Sequence, residues 1–213
     1  CAAVTTELTY GKKISTCAHY LNQLSGTVLK DLNLLSHGLR MSSTNVPTIA
    51  LCASGNHLTL TKDKATIGDI NIDDDKAYVK FMSLMQGYAS TLSFLLDTPP
   101  INIFNPSWVD KVAALKLGWK LRFGLGATKM SEFLRQIGMN IYDVLNDEFD
   151  NDLLKGALSF DAVLGTHTGA RSPGSVLTFL YRMASGDEGA LCVPEGGMGS
   201  VTQAIAKSAQ AHG

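Results

Sequence analysis

Three stretches of the sequence hold residue types that could do chemistry. The first is Gly196-Gly197-Met198-Gly199-Ser200, which follows a candidate strand over 190–193 and opens a helix from Val201 to His212. A glycine-rich turn between strand and helix aims backbone N–H groups at a phosphate, with the helix dipole behind them. A dinucleotide cradle needs more than this. It requires a third small residue for helix packing, a second strand, and an acidic residue about 20 positions on to hold a ribose. Thr202 stands at the third place and the sequence runs only to Gly213. The run therefore reads better as a tight joint, for which glycine is the natural residue.

The second stretch is Gly165-Thr-His-Thr-Gly-Ala-Arg-Ser-Pro-Gly-Ser175, with hydroxyls, His167 and Arg171 on a glycine-rich segment before a helix start. It could offer a ligand or partner a positive, donor-rich surface. The plainer alternative is a capped turn with an exposed Arg, because glycine and Ser-Pro are ordinary turn chemistry. No G-x-S-x-G elbow occurs, which removes the serine-hydrolase class. The third stretch is Cys17-Ala18-His19. In extended chain these two side chains share a face and could ligate a metal or pair a thiol with a base. No second close pair completes a four-ligand set, so a partly buried Cys beside a hydrogen-bonded His is the simpler reading.

These segments need a scaffold, and the 213 residues are rich enough in apolar side chains (45%) to build one. Eighteen basic and nineteen acidic residues leave a net charge of -1, so no global field favours nucleic acid. Apolar runs are too short to span a bilayer. Four cysteines without C-x-x-C spacing suit a reduced, intracellular setting.

The period of the apolar residues predicts the elements. Residues 1–20 read as loop with one short strand. A helix follows over Leu21 to Leu35, closed by His37-Gly38. Breaks at Asn45-Val46-Pro47 and Ser54-Gly55-Asn56 leave room for two or three antiparallel strands between Leu39 and Thr61. Asp73-Asp74-Asp75 opens the longest helix, whose face runs from Tyr78 to Leu96 and which ends at Asp97-Thr98-Pro99-Pro100. Asn105-Pro106 opens another, and Thr128 one that reaches Gly138. Asn140 with Asp143 forms a variant capping box, short helical turns follow to Phe160, and Ser172-Pro173 caps a helix over Val176 to Met183. Helix, then strands, then several helices is the segregated order of an α+β fold, here a small antiparallel or mixed sheet covered by helices.

One helix has a second possible use. Trp108, Val112, Leu115, Trp119 and Phe123 form a stripe, with Lys111, Lys116, Lys120 and Arg122 largely elsewhere. The common meaning is a helix packed on its own core. A basic helix with tryptophan on its apolar side can also lie in a membrane interface or lid an apolar pocket.

The runs from Gly165 to Ser175 and from Val193 to Lys207 resemble the central region of phytoene-dehydrogenase-like FAD-dependent oxidoreductases, closest to their pyridine nucleotide-disulphide oxidoreductase domain-containing group. The opening Cys1-Ala-Ala-Val-Thr-Thr-Glu7 is similar to the segment near the flavin in that family, with Ile14 to Tyr20, His37-Gly38-Leu39 and Asp161-Ala162-Val163 in further agreement. The resemblance implies a substrate domain over 21–192, flanked by residues 1–20 and 193–213, which adjoin an FAD domain not encoded here. It implies that Thr5, Thr6, Glu7, Gly196, Gly197 and Met198 lie near the cofactor, and that His167 and Arg171 face substrate or the domain junction. FAD is then the cofactor of the intact parent and an apolar small molecule its substrate, giving hydride to the flavin. No catalytic residue and no metal site is assigned. The chain by itself is expected to be inactive and to hold no flavin. A rival expectation is a non-catalytic module for an apolar ligand or a protein partner. Either way no nucleic acid is expected, and the chain is intracellular, soluble or in peripheral contact with a membrane through Trp108 to Phe123.

Overall fold

A computed structural model describes residues 3–22, 24–96, 99–102, 104–184 and 190–212. Cys1, Asp97 and Thr98, which the sequence reading used, lie outside them. In chain order the elements are β1 (Thr5–Thr9), β2 (Lys12–Ser15), α1 (Gly26–Asp31), β3 (Met41–Ser43), β4 (Thr48–Ala50), β5 (Leu58–Leu60), β6 (Ala65–Ile67) and β7 (Ile70–Asn71). They continue with α2 (Asp75–Leu96), α3 (Trp108–Trp119), a π-helical turn (Lys120–Leu125), α4 (Ala127–Ile137), α5 (Ile141–Glu148), α6 (Asp152–Val163), α7 (Ser175–Met183), β8 (Val193–Pro194) and α8 (Gly199–Ala211). The fold is α+β, with small antiparallel sheets and an uninterrupted run of helices from α2 to α7, while α1 and β8 fall among elements of the other kind. Contacts divide the chain into one unit of Cys1–Pro47 with Ser185–Gly213 and a second of Thr48–Ala184.

The first unit draws its elements from both ends of the sequence. β1 and β2 form a hairpin that pairs Thr5 with Ser15, Thr6 with Ile14 and Glu7 with Lys13, where one short strand was expected. Gly11 turns it at a φ of +75°, and its N–H donates to Glu7 Oε1 at 2.7 Å. β3 pairs antiparallel with β8, and Leu21 bridges Cys192. The helix expected from Leu21 to Leu35 is shorter. Its regular part begins after Ser25, whose Oγ accepts from Thr27 N–H, and ends before Asn33, which adopts a φ of +48°. Val28 and Leu35 of the expected apolar period are exposed, and the fully buried leucines lie in the turns that follow. Leu34 and Leu39 are buried with Val201 and Ala204 of α8, and Leu24, Leu29 and Leu32 pack around them. Ser208, fully buried on the same side of α8, donates to Leu32 O at 2.7 Å.

In the second unit β4 to β7 form an antiparallel meander in sequence order. Its β6 and β7 lie beyond Thr61, where no strands were expected. Leu58, Leu60 and Ala65 of the sheet meet α2, α6 and α7 in one core that includes Phe81, Met85, Leu154, Phe179 and Leu180. Removing such side chains from water contributes roughly 1.5–3 kcal/mol each. Phe81 meets Phe149 edge-on at 5.3 Å between ring centres and Phe179 at 6.2 Å.

The Asp73-Asp74-Asp75 run does precede the long helix, but two of its carboxylates serve other elements. Asp75 accepts from Ala65 N–H in β6 at 2.7 Å. Asp74 accepts from the Asp150 and Asn151 N–H groups at 3.0 and 2.8 Å, just before α6. Asn151 in turn caps α6, accepting from Leu153 and Leu154 N–H. That stretch is therefore one continuous helix where short turns were expected.

Candidate functional site

The residues expected near a cofactor meet in the first unit. In an antiparallel pair the side chains of directly opposed residues share a face, so Thr5 and Ser15 project together from the hairpin. Thr5 Oγ1 accepts from Gly199 N–H at 2.8 Å and Ser15 Oγ accepts from Met198 N–H at 3.0 Å. The two segments lie nearly the whole sequence apart. Their approach is so close that a Cβ on Gly197 would stand 2.5 Å from Thr5 Oγ1 and 3.0 Å from Ser15 Oγ. One on Gly199 would stand 3.0 Å from Thr5 N. Gly196 and Gly197 also hold φ near +80°, where a side chain is strained.

Donor accounting tells what this turn can grip. Gly197 N–H donates to Pro194 O, Ser200 N–H to Gly197 O and Val201 N–H to Met198 O. With Met198 and Gly199 held by the hairpin, every N–H from Gly197 to Val201 has a partner inside the unit. A phosphate at a helix start needs those donors free. The turn is thus a joint, with Met198 buried and Thr6 and Glu7 exposed on the hairpin. Ser15 is the partner the sequence reading passed over, because only the folded hairpin's register sets it opposite Thr5.

The second candidate segment, in the second unit, is stitched to the start of α5. Ser175, almost fully buried, accepts from Ile141 N–H at 2.9 Å and donates to Ser172 O at 2.9 Å. Tyr142 N–H donates to Ala170 O, and Asn140 Oδ1 accepts from Asp143 N–H at 2.8 Å in the expected capping box. The expected Ser172 cap of α7 is not formed. Gly174, at a φ of +78°, occupies that position, and Ser172 Oγ accepts from Gly169 N–H instead.

Arg171 and His167 are both exposed. The Arg171 guanidinium lies 4.1 Å from the centre of the Tyr142 ring. Hydrogen bonds from Asn146 and Arg171, together with the Arg171 charge, hold the Tyr142 hydroxyl below its ordinary pKa. Tyr142 is a polar group that the sequence reading missed, since no helical period marks an exposed position two residues past a cap. The pair presents a guanidinium and a phenolic hydroxyl at one exposed spot, groups that can hydrogen-bond an anionic or carbonyl oxygen.

Cys17 and His19 are exposed, and among the described residues no group of three or more His, Cys, Asp or Glu could hold a metal ion. Nor is any helix among them long and apolar enough to cross a membrane.

No family model matches the chain, and no solved structure matches it. It is homologous along its whole length to pyridine nucleotide-disulfide oxidoreductase domain-containing protein 2 of Rattus norvegicus, with 31% identity over 232 aligned positions, and to the same protein of Mus musculus at 29%. The chain spans 40% of the length of these relatives. An uncharacterized protein of Mycobacterium tuberculosis is 45% identical over 65 residues, or 30% of this chain and 12% of its own. The homology is thus to part of an oxidoreductase-domain protein.

Proposed function

We propose that this chain is the substrate-side portion of an FAD-dependent oxidoreductase of the phytoene-dehydrogenase type, in which an apolar substrate gives hydride to flavin. The observation that carries the reading is the joint between Thr5 and Ser15 on one side and Gly197 to Gly199 on the other. These are the segments that the resemblance assigns to the cofactor's surroundings, and they reach one place from opposite ends of the sequence.

The spent donors of the joint do not fit a flavin diphosphate. The phosphates belong to residues outside this chain, and the joint borders the cofactor without gripping it. When bound, FAD supplies the hydride acceptor. The chain's own contribution is to position and to exclude water. The hairpin holds Thr6 and Glu7 at its exposed surface, and Arg171 with Tyr142 offers a fixed polar contact to one end of a substrate. By itself the chain is catalytically inert.

Two measurements on the purified chain test this. It should emerge colourless from gel filtration after incubation with excess FAD, and a carotenoid added from detergent should bind it saturably. Flavin retained near stoichiometry, or no carotenoid binding, would sink the proposal.

A further inference from the structure

The strongest feature left unexplained is the outer face of α3. No residue of this helix is buried. Trp108, Leu115 and Trp119 are 77%, 74% and 65% exposed, and Phe123 in the following π-helical turn is 66% exposed. This is no scatter of single apolar residues. At about 3.6 residues per turn, positions 108, 115 and 119 fall on one stripe, and Trp119 and Phe123 lie with ring centres 5.4 Å apart. Phe104, just before the helix, is almost completely exposed.

The charges around the stripe decide what it suits. Lys111 and Lys116 fall on opposite flanks of it on the helix, both exposed. Arg122 lies 5.6 Å from the centre of the Phe123 ring, and Lys129 follows in α4, also exposed. Across residues 99–131 the only acidic residue is Asp110, and its carboxylate is occupied. One oxygen accepts from Ser107 N–H at 2.8 Å and Ser107 Oγ at 2.6 Å, and the other from Asn102 N–H at 3.1 Å. The surface is therefore an aromatic ridge with cations on its flanks. Two such ridges from a symmetric pair of chains would oppose like charges across the contact, whereas an anionic lipid surface neutralises them.

We propose that α3 and its π-helical turn form a docking surface for an anionic lipid bilayer. Trp108, Leu115, Trp119 and Phe123 enter the headgroup region, where tryptophan is favoured by an apolar body and a polar N–H. Lys111, Lys116 and Arg122 extend along their aliphatic stems to the lipid phosphates. The helix lies on the membrane, and nothing in the proposal requires crossing it.

Trp108 and Trp119 are the only tryptophans in the chain, so selectively excited tryptophan fluorescence reads this surface alone. The experiment mixes the full chain with vesicles of phosphatidylglycerol and phosphatidylcholine, or of phosphatidylcholine alone. With the anionic vesicles the emission should shift to the blue, brominated lipid should quench it, and the protein should float with the lipid. Trp108→Ser with Trp119→Ser should cut the floated fraction at least about tenfold. Lys111→Glu with Lys116→Glu should abolish the preference for anionic over neutral vesicles while leaving the thermal melt unchanged, as expected for exposed side chains. Absence of flotation with anionic vesicles, or flotation unaffected by either double substitution, would overturn the proposal. So would self-association in sedimentation that the tryptophan substitutions remove, with no vesicle binding, since the face would then belong to a second copy.

Discussion

Thr5 and Gly199 are joined by a 2.8 Å hydrogen bond between side chain and backbone across nearly the whole length of the sequence, and the space between their segments is too small for a methyl group on Gly197. The joint is thereby fixed from both directions: the hydroxyl needs the amide, and the amide can be reached only across glycine. Several measurable consequences come from this and from three similar arrangements.

Gly197→Ala should destabilise the first unit by about 3 kcal/mol, because it adds a clash to a positive φ that glycine alone adopts without strain. Thr5→Ala should cost about 1–3 kcal/mol by leaving the Gly199 N–H unpaired. Hydrogen exchange at the Met198 and Gly199 amides measures both directly. Equal protection of those amides in the wild type and the Thr5 variant would contradict the arrangement.

Ser175→Ala removes a buried hydroxyl that accepts from Ile141 N–H and donates to Ser172 O. Urea unfolding should show a loss of about 1–3 kcal/mol with the slope preserved. Ser172→Ala, at a partly exposed position, should cost well under that.

Burial pushes the Tyr78 hydroxyl up from 10.0 to about 12, with Asp161, Asp63 and Asp75 adding to the shift. Its hydroxyl donates to Thr61 O at 2.7 Å, so the folded state holds the proton more tightly than the unfolded chain does. The stabilisation is complete below pH 10 and is lost as the pH rises towards 12, and it is on the order of 2–3 kcal/mol. Chemical denaturation across that window should show the fall in the wild type. Tyr78→Phe should be less stable at neutral pH and lack that part of the alkaline loss.

Arg171→Ala should raise the pKa of Tyr142, since it removes both a hydrogen bond and a positive charge from the phenol. Ultraviolet difference titration against Tyr142→Phe isolates the relevant tyrosine. An unchanged Tyr142 titration would show that the guanidinium does not act on the ring.

Where local rules decide the outcome, the sequence was easy to read. The long helix α2, the Asn140–Asp143 cap and the α+β segregation all follow from side-chain period and capping chemistry. The failures have a common cause in distant partners. Ser172-Pro173 has the composition of a cap, but Ser172 bonds Gly169 and the loop enters α7 through Gly174. The leucine period from Leu21 to Leu35 holds only in part: Leu24, Leu29 and Leu32 are partly buried, Val28 and Leu35 are exposed, and with Asn33 at positive φ ending the helix it is Leu34 and Leu39, in the turns, that reach the core. The stripe on α3 reads first as a face packed on its own core, yet no residue of the helix is buried, because periodicity identifies an apolar face without saying what lies against it. Ser15 and Tyr142 were invisible because their importance comes from Met198 and Arg171, which no spacing rule connects to them.

The interleaving of the first unit bears on how the chain is made. Its ties run from Thr5 and Ser15 to the glycine turn, from Arg40 to Glu195, from β3 to β8 and from Leu32 to Ser208. On a ribosome, which releases the N-terminus first, residues 3–47 must wait without their partners while 48–184 emerge and can pack. A translation arrest before Val193 should therefore leave the early segment open to protease while the middle of the nascent polypeptide already resists it.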